Sequence, residues 1–190
     1  MSTVVVRHLL AVLMLVIAPC AWAADDVWKL LESGGRVVLM RHTITPPGTG
    51  DPPGMRLDDC STQRNLTDEG RRHAHAIGEA FRSRRIDVGR VLSSPWCRCL
   101  ETARLAFARA EVSEPLSELF DRPEQSQKQV PAMRAIVAAH RGKANLVLVS
   151  HGATIVALAD VSLRPGEMAI VTPKSDGTFV VNGWLVVPSQ

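Results

Sequence analysis

The run Val37-Val38-Leu39-Met40 restricts the fold of this chain more than any other stretch. Four consecutive apolar residues, two of them β-branched, suit a strand with both faces covered. Strands of that kind sit inside sheets packed between helices. The run stops abruptly at Arg41-His42, followed by Thr43 and a segment rich in proline and glycine. A cation and an imidazole therefore stand where a buried strand leaves its sheet, the edge at which open α/β sheets bind ligands. Taken alone, the pair reads more readily as the start of a solvated loop.

The rest of the chain repeats the pattern. Asn145 to Ser150 is a second buried strand and ends as abruptly, at His151-Gly152. Val88 to Ser93 is a third, leading into Ser94-Pro95-Trp96-Cys97-Arg98. Ser94 as N-cap and Pro95 as first helical residue place Arg98 in the first turn of a helix, beside free backbone N–H groups. Other helices are expected over Asp25 to Ser33, over Gln125 to His140 and over Ala153 to Ala159. A further helix follows Thr67 as N-cap, with Ala74, Ile77, Gly78 and Phe81 at helical spacing. His73 and His75 lie on that helix two positions apart, which makes them a poor metal pair, and both are read as surface residues. Near the C-terminus, Asp176-Gly177 and Asn182-Gly183 predict turns separating short edge strands. The alternation predicts a three-layer α/β/α sandwich with a largely parallel central sheet. If its three buried strands are parallel, Arg41, His42, Arg98 and His151 meet at one edge.

Composition narrows the setting. Arg7 and His8 precede an apolar run from Leu9 to Ala18, and Ala21-Trp22-Ala23 follows. This is the pattern of a signal peptide cleaved after Ala23, too short to span a membrane. Cys20 invites lipidation, but Pro19 stands where that cleavage wants a small residue. Residues 24–190 then form one domain of a periplasmic or secreted protein, with no stable membrane span. The whole chain carries a formal charge of +3, and losing Arg7 leaves about +2, too balanced for a nucleic-acid partner. Cys60, Cys97 and Cys99 remain, so an oxidising compartment predicts one disulfide and one leftover thiol, with the pairing open. Cys97-x-Cys99 is too short for a structural zinc pair, and no second cysteine pair accompanies it.

Two histidines and two arginines make a poor core unless something anionic completes them. No carboxylate is expected beside these strand ends, so the missing partner is an external anion. A tetrahedral phosphoryl group fits, because arginine forks match its oxygens. Neutral imidazole can attack phosphorus to give a phosphohistidine, and a carboxylic acid can protonate the leaving oxygen. Glu118 and Asp121 flank the hydrophobic pair Leu119-Phe120. The loop from Thr43 to Leu66 is read as a wall of the site. A phosphate-binding protein without turnover, or a mutase that retains the phosphate, would use part of the same set.

Four motifs in order resemble those of the histidine phosphatase superfamily, also called phosphoglycerate mutase-like. They are Met40-Arg41-His42-Thr43 after a strand, Leu66-Thr67-Asp68-Glu69-Gly70 opening a helix, Ser93-Ser94-Pro95-Trp96-Cys97-Arg98 with Glu101-Thr102-Ala103, and Val149-Ser150-His151-Gly152. The resemblance implies that residues 24–190 are one histidine phosphatase domain of the small branch, without a large cap. It implies His42 as nucleophile, Arg41 and Arg98 as phosphate-binding arginines, and His151 as the second histidine on the phosphoryl group. Glu118 resembles the general acid, with Asp121 as fallback, and Arg64 sits where it can reach the site. No metal or cofactor is implied. The substrate would be a small phosphate ester, an envelope glycolipid phosphate or a phosphohistidine. Thr43 departs from the family's glycine, and its hydroxyl is expected either to touch substrate or to narrow the pocket.

Overall fold

The computed structural model describes residues 24–189; the expected signal peptide lies outside them. Strand β1 (Val37–Arg41) and strand β4 (Asn145–Ser150) occupy the centre of a six-stranded sheet. They pair in parallel, and β2 (Val88–Ser93) pairs in parallel on the other side of β4. The short β3 (Glu111–Val112) extends that edge in parallel. On the far side, β5 (Met168–Pro173) and β6 (Phe179–Leu185) add antiparallel strands, giving the order β3-β2-β4-β1-β5-β6.

Period-two alternation splits each central strand between two cores. Val38, Met40, Val147 and Val149 point into one, under α1 (Ala24–Glu32), α2 (Asp68–Ser83) and α3 (Cys97–Phe107). Val37, Leu39, Leu146 and Leu148 point into the other, under α4 (Ser126–Ala139) and α5 (Gly152–Ala159). The three-layer sandwich expected from the alternation is therefore the observed architecture. Thr67 caps α2 as expected, its hydroxyl accepting from Gly70 N at 3.0 Å.

Three local expectations are corrected. Helix α3 begins at Cys97, with Trp96 rather than Ser94 at the cap and no side-chain cap bond, because the Ser94 hydroxyl is drawn toward His151. Asn182-Gly183 is no turn: β6 runs through it, and the sheet absorbs the glycine with a register shift opposite Ile170 and Val171. Asp176-Gly177 does turn, with φ +84° at Gly177. His73 is buried, with Nε2 donating to Val187 O at 2.7 Å, so it ties α2 to the C-terminal segment and is not a surface residue.

The cysteine pairing left open is Cys60–Cys97, with Cys99 a buried free thiol. The bond joins the long loop to the first residue of α3 across 37 positions, worth roughly 4 kcal/mol on loop-closure entropy. It also leaves Cys97-x-Cys99 without two free thiolates.

Helices α2 and α3 touch where α2 has no side chain. A Cβ on Gly78 would lie 2.2 Å from Ala106 O. Gly78→Ala is therefore expected to destabilise the fold by about 1–2 kcal/mol in urea denaturation, although alanine favours helix. A neutral result would show that the two helices separate freely.

Candidate active site

Strand register builds the site. Arg41 is opposite Ser150 in the β1–β4 ladder, so His42 and His151 leave the sheet side by side. Their rings lie 5.6 Å apart, centroid to centroid, at 69°. Ser93 is opposite Val149, which brings Ser94 and the start of α3 to the same edge. The four residues expected to converge do so.

His42 is buried, and its Nδ1 donates to Thr43 O at 2.8 Å. That bond sets the tautomer and leaves Nε2 with a free lone pair. Burial, and then the positive neighbours His151 and Arg98, hold its pKa well below the usual histidine value. His151 is also held down, by burial first, with Glu118 opposing. Its Nδ1 donates to Glu118 Oε2 at 3.0 Å, and the Ser94 hydroxyl donates to its Nε2 at 2.8 Å. Trp96 closes one side, with its ring 5.4 Å from that of His151.

The arginines differ in their surroundings. Arg41 Nη1 donates to Leu163 O at 2.8 Å, and no carboxylate lies within ion-pair distance among the described residues. Gly152 gives its guanidinium room: a Cβ there would sit 3.3 Å from Arg41 Cζ. Arg98 is wholly buried and does have carboxylate partners. Its Nη1 donates to Asp51 Oδ1 and Oδ2 at 2.8 and 3.0 Å, and Nη2 lies 3.4 Å from Glu118 Oε2. The expectation that no carboxylate accompanies the strand ends is thus corrected. Asp51 reaches in from a loop 47 positions away, and no local pattern marks it.

Glu118 is the carboxylate at the centre. Burial pushes its pKa up, but the hydrogen bond and charge of His151, the Phe120 N–H and Arg98 outweigh that and bring it down to about 2. It is ionised at neutral pH. Asp121 is exposed on the rim beside Gly50 and touches neither histidine. Arg64 comes to the site as expected, its Nε on Gly50 O and its Nη1 on Thr45 Oγ1. Thr43 takes neither of its two expected roles. It is fully buried with its hydroxyl 3.2 Å from that of Thr102, away from the cavity. Its φ is not positive, so threonine sits there without backbone strain.

Arg41, His42, Arg64, Glu118 and Gly152 line a cavity of about 350 Å³, with the half-exposed Phe120 and Val156 at its mouth. Arg98 and His151 lie behind Glu118. Two guanidinium groups, an imidazole with a free nitrogen and a carboxylate around one cavity can receive a phosphoryl group, attack it and protonate what leaves.

Residues 37–121 match the family model described as Histidine phosphatase superfamily (branch 1). That span holds Arg41, His42, Arg98 and Glu118; His151 lies beyond it and is supplied by the fold. Among solved structures, the protein histidine phosphatase SixA complexed with tungstate has a TM-score of 0.58 at 19% identity, covering 79% of this chain and 96% of its own. A mycobacterial glucosyl-3-phosphoglycerate phosphatase has a TM-score of 0.61 at 17% identity, covering 80% and 99%. A phosphoserine phosphatase mutant from Entamoeba histolytica, in complex with phosphoserine, has 0.58 at 14%, covering 78% and 95%. At these identities the likeness is one of fold. No curated protein matches the chain.

The two histidine shifts have a pH signature. Both groups bind protons less readily folded than unfolded, so stability is full above the unfolded value near 6.5 and falls as pH drops below it. Urea denaturation from pH 7.5 to 5 should show that decline, and NMR of the His42 ring should show it still neutral at pH 6. A His42 ring that titrates near pH 6.5 would contradict the burial argument.

Proposed function

We propose that the chain is a histidine phosphatase, exported and working through a phosphohistidine on His42; the match of residues 37–121 to the superfamily model and the shared fold support the reading. The observation that carries the proposal is the His42 Nδ1 bond to Thr43 O, which points one free imidazole lone pair at a cavity edged by Arg41 and Arg64. In the first step His42 Nε2 attacks phosphorus and the bond to the leaving alcohol oxygen breaks. Arg41, Arg98 and His151 hold the equatorial oxygens, supplying the positive charge without a metal. Water then cleaves the phosphorus–nitrogen bond, returning neutral His42 and inorganic phosphate.

Glu118 is the general acid in this scheme, and its low pKa in the empty site explains how. It occupies the place of an anion, on His151 and Arg98. An incoming phosphoryl dianion takes over those partners, and its like charge raises the carboxyl pKa. Glu118 then takes up the proton it later gives to the leaving oxygen. Asp121, on the rim, is the poorer candidate.

Export rests on the signal-peptide pattern of residues 1–23 and is supported by the Cys60–Cys97 disulfide, which suits an oxidising compartment. Substrates available there include small phosphate esters and glycolipid phosphates of the cell envelope. The Phe120 and Val156 side chains at the cavity mouth offer apolar contact to such a leaving group.

His42→Ala should lower turnover of para-nitrophenyl phosphate by at least about 10³-fold in a folded protein, and acid-labile label should no longer be trapped on the chain. Near-normal turnover in that variant sinks the nucleophile assignment, and binding of phosphate without any wild-type turnover would make the chain a binding protein. Glu118→Gln should lower kcat by about 10²-fold or more for alkyl phosphates and far less for para-nitrophenyl phosphate, whose phenolate leaves unaided. Equal losses on both would remove Glu118 from the acid role.

A further inference from the structure

Arg98 is the one charged side chain in the site with no surface exposure, and its two ends do different things. Nη2 is turned toward Glu118 Oε2 and His151 Nδ1, each at 3.4 Å. Nη1 is turned away and is held by both oxygens of Asp51. The Asp51 carboxylate is itself fixed, by the Trp96 indole N–H at 3.0 Å and the Arg64 backbone N–H at 2.9 Å. Its side chain is only 8% exposed, although it comes from a loop rich in proline and glycine. Three donors from three separate residues therefore converge on one loop carboxylate, which grips one edge of a guanidinium.

We infer that Asp51 is a positioning residue, whose carboxylate locks one edge of the Arg98 guanidinium so that the other edge faces the phosphoryl site. The inference rests on the phosphatase reading for the site that Arg98 faces and adds to it Asp51, which has no part in that reading. A free arginine explores many rotamers, and an off-target guanidinium stabilises developing charge poorly. A bidentate carboxylate removes that freedom before substrate arrives. The same carboxylate accepts the Arg64 backbone N–H, so one group aligns two of the three site arginines. A direct substrate role does not suit Asp51: its oxygens are already filled by donors, and a second fixed anion facing the phosphoryl group would repel it.

The test is a double-mutant cycle with Arg98, read on kcat, KM and melting temperature. Asp51→Asn keeps the shape and removes the charge; Asp51→Glu keeps the charge and displaces it by one methylene. Each is expected to lower kcat for para-nitrophenyl phosphate about tenfold or more, with KM changing less. Adding Asp51→Asn to Arg98→Ala is expected to leave kcat where Arg98→Ala alone puts it, because no guanidinium remains to be aimed. Losses that multiply in the double variant overturn the inference. So does a lower melting temperature with wild-type kcat per folded molecule, the mark of a merely structural contact. Should Asp51→Asn not fold, Asp51→Glu decides by the same readouts. Orthovanadate affinity, measured across the same cycle, needs no turnover: Asp51→Asn is expected to weaken it about fivefold or more in wild type and not at all beside Arg98→Ala. A wild-type protein that binds vanadate but hydrolyses nothing would thus end the phosphatase reading while leaving the role of Asp51 to be judged.

Discussion

The parallel ladder between β1 and β4 is the constraint from which the site follows. With Arg41 opposite Ser150, the next residue on each strand is a histidine, and neither has a ladder partner to continue the sheet. Register in a doubly covered sheet is rigidly specified, because a slip of one residue would turn every apolar side chain toward the wrong core. Val38 and Met40 face one helical layer and Val37 and Leu39 the other, so packing on both sides holds the ladder. The imidazoles are adjacent because the hydrophobic cores fix the register of the strands that carry them.

Charge is the second constraint. A buried guanidinium without a partner is unaffordable, and Arg98 is entirely buried. Its partners are Asp51 and Glu118, which divide the labour. Asp51 is held by further donors and stays. Glu118 lines the cavity, and part of its stabilisation comes from groups that an arriving phosphoryl anion would claim. With Glu118 beside Arg98 and His151, the buried cation is paired within the protein itself. Arg41 instead bonds a backbone carbonyl.

Thr43, which follows His42 where the superfamily has glycine, illustrates how context decides a local departure. Thr43 has no positive φ to resist, and the Thr102 hydroxyl both bonds the Thr43 amide and faces its side chain. Thr102 in turn donates to Arg98 O at 2.7 Å. The extra side chain therefore binds the loop after His42 to α3, the helix that carries Arg98. The carbonyl of Thr43, present whatever the side chain, is what orients His42.

Much of this was legible from the sequence because it depends on neighbours a few positions apart. Apolar runs marked three of the four parallel strands, Thr67 marked the start of α2, and the abrupt ends at His42 and His151 marked the sheet edge where the site lies. Glu118 and Arg64 could be named from their motifs. What the tertiary structure alone decided depends on residues far apart in the chain. The burial of His73 under Val187, the seating of Ser94 on His151, the choice of Cys60 for Cys97 and the carboxylate of Asp51 on Arg98 are contacts across 37 to 114 positions. Periodicity and capping are local free-energy preferences and leave a trace in short windows. A contact made by a long loop is set by where its ends are anchored and what it can bury, and a short window holds no record of either.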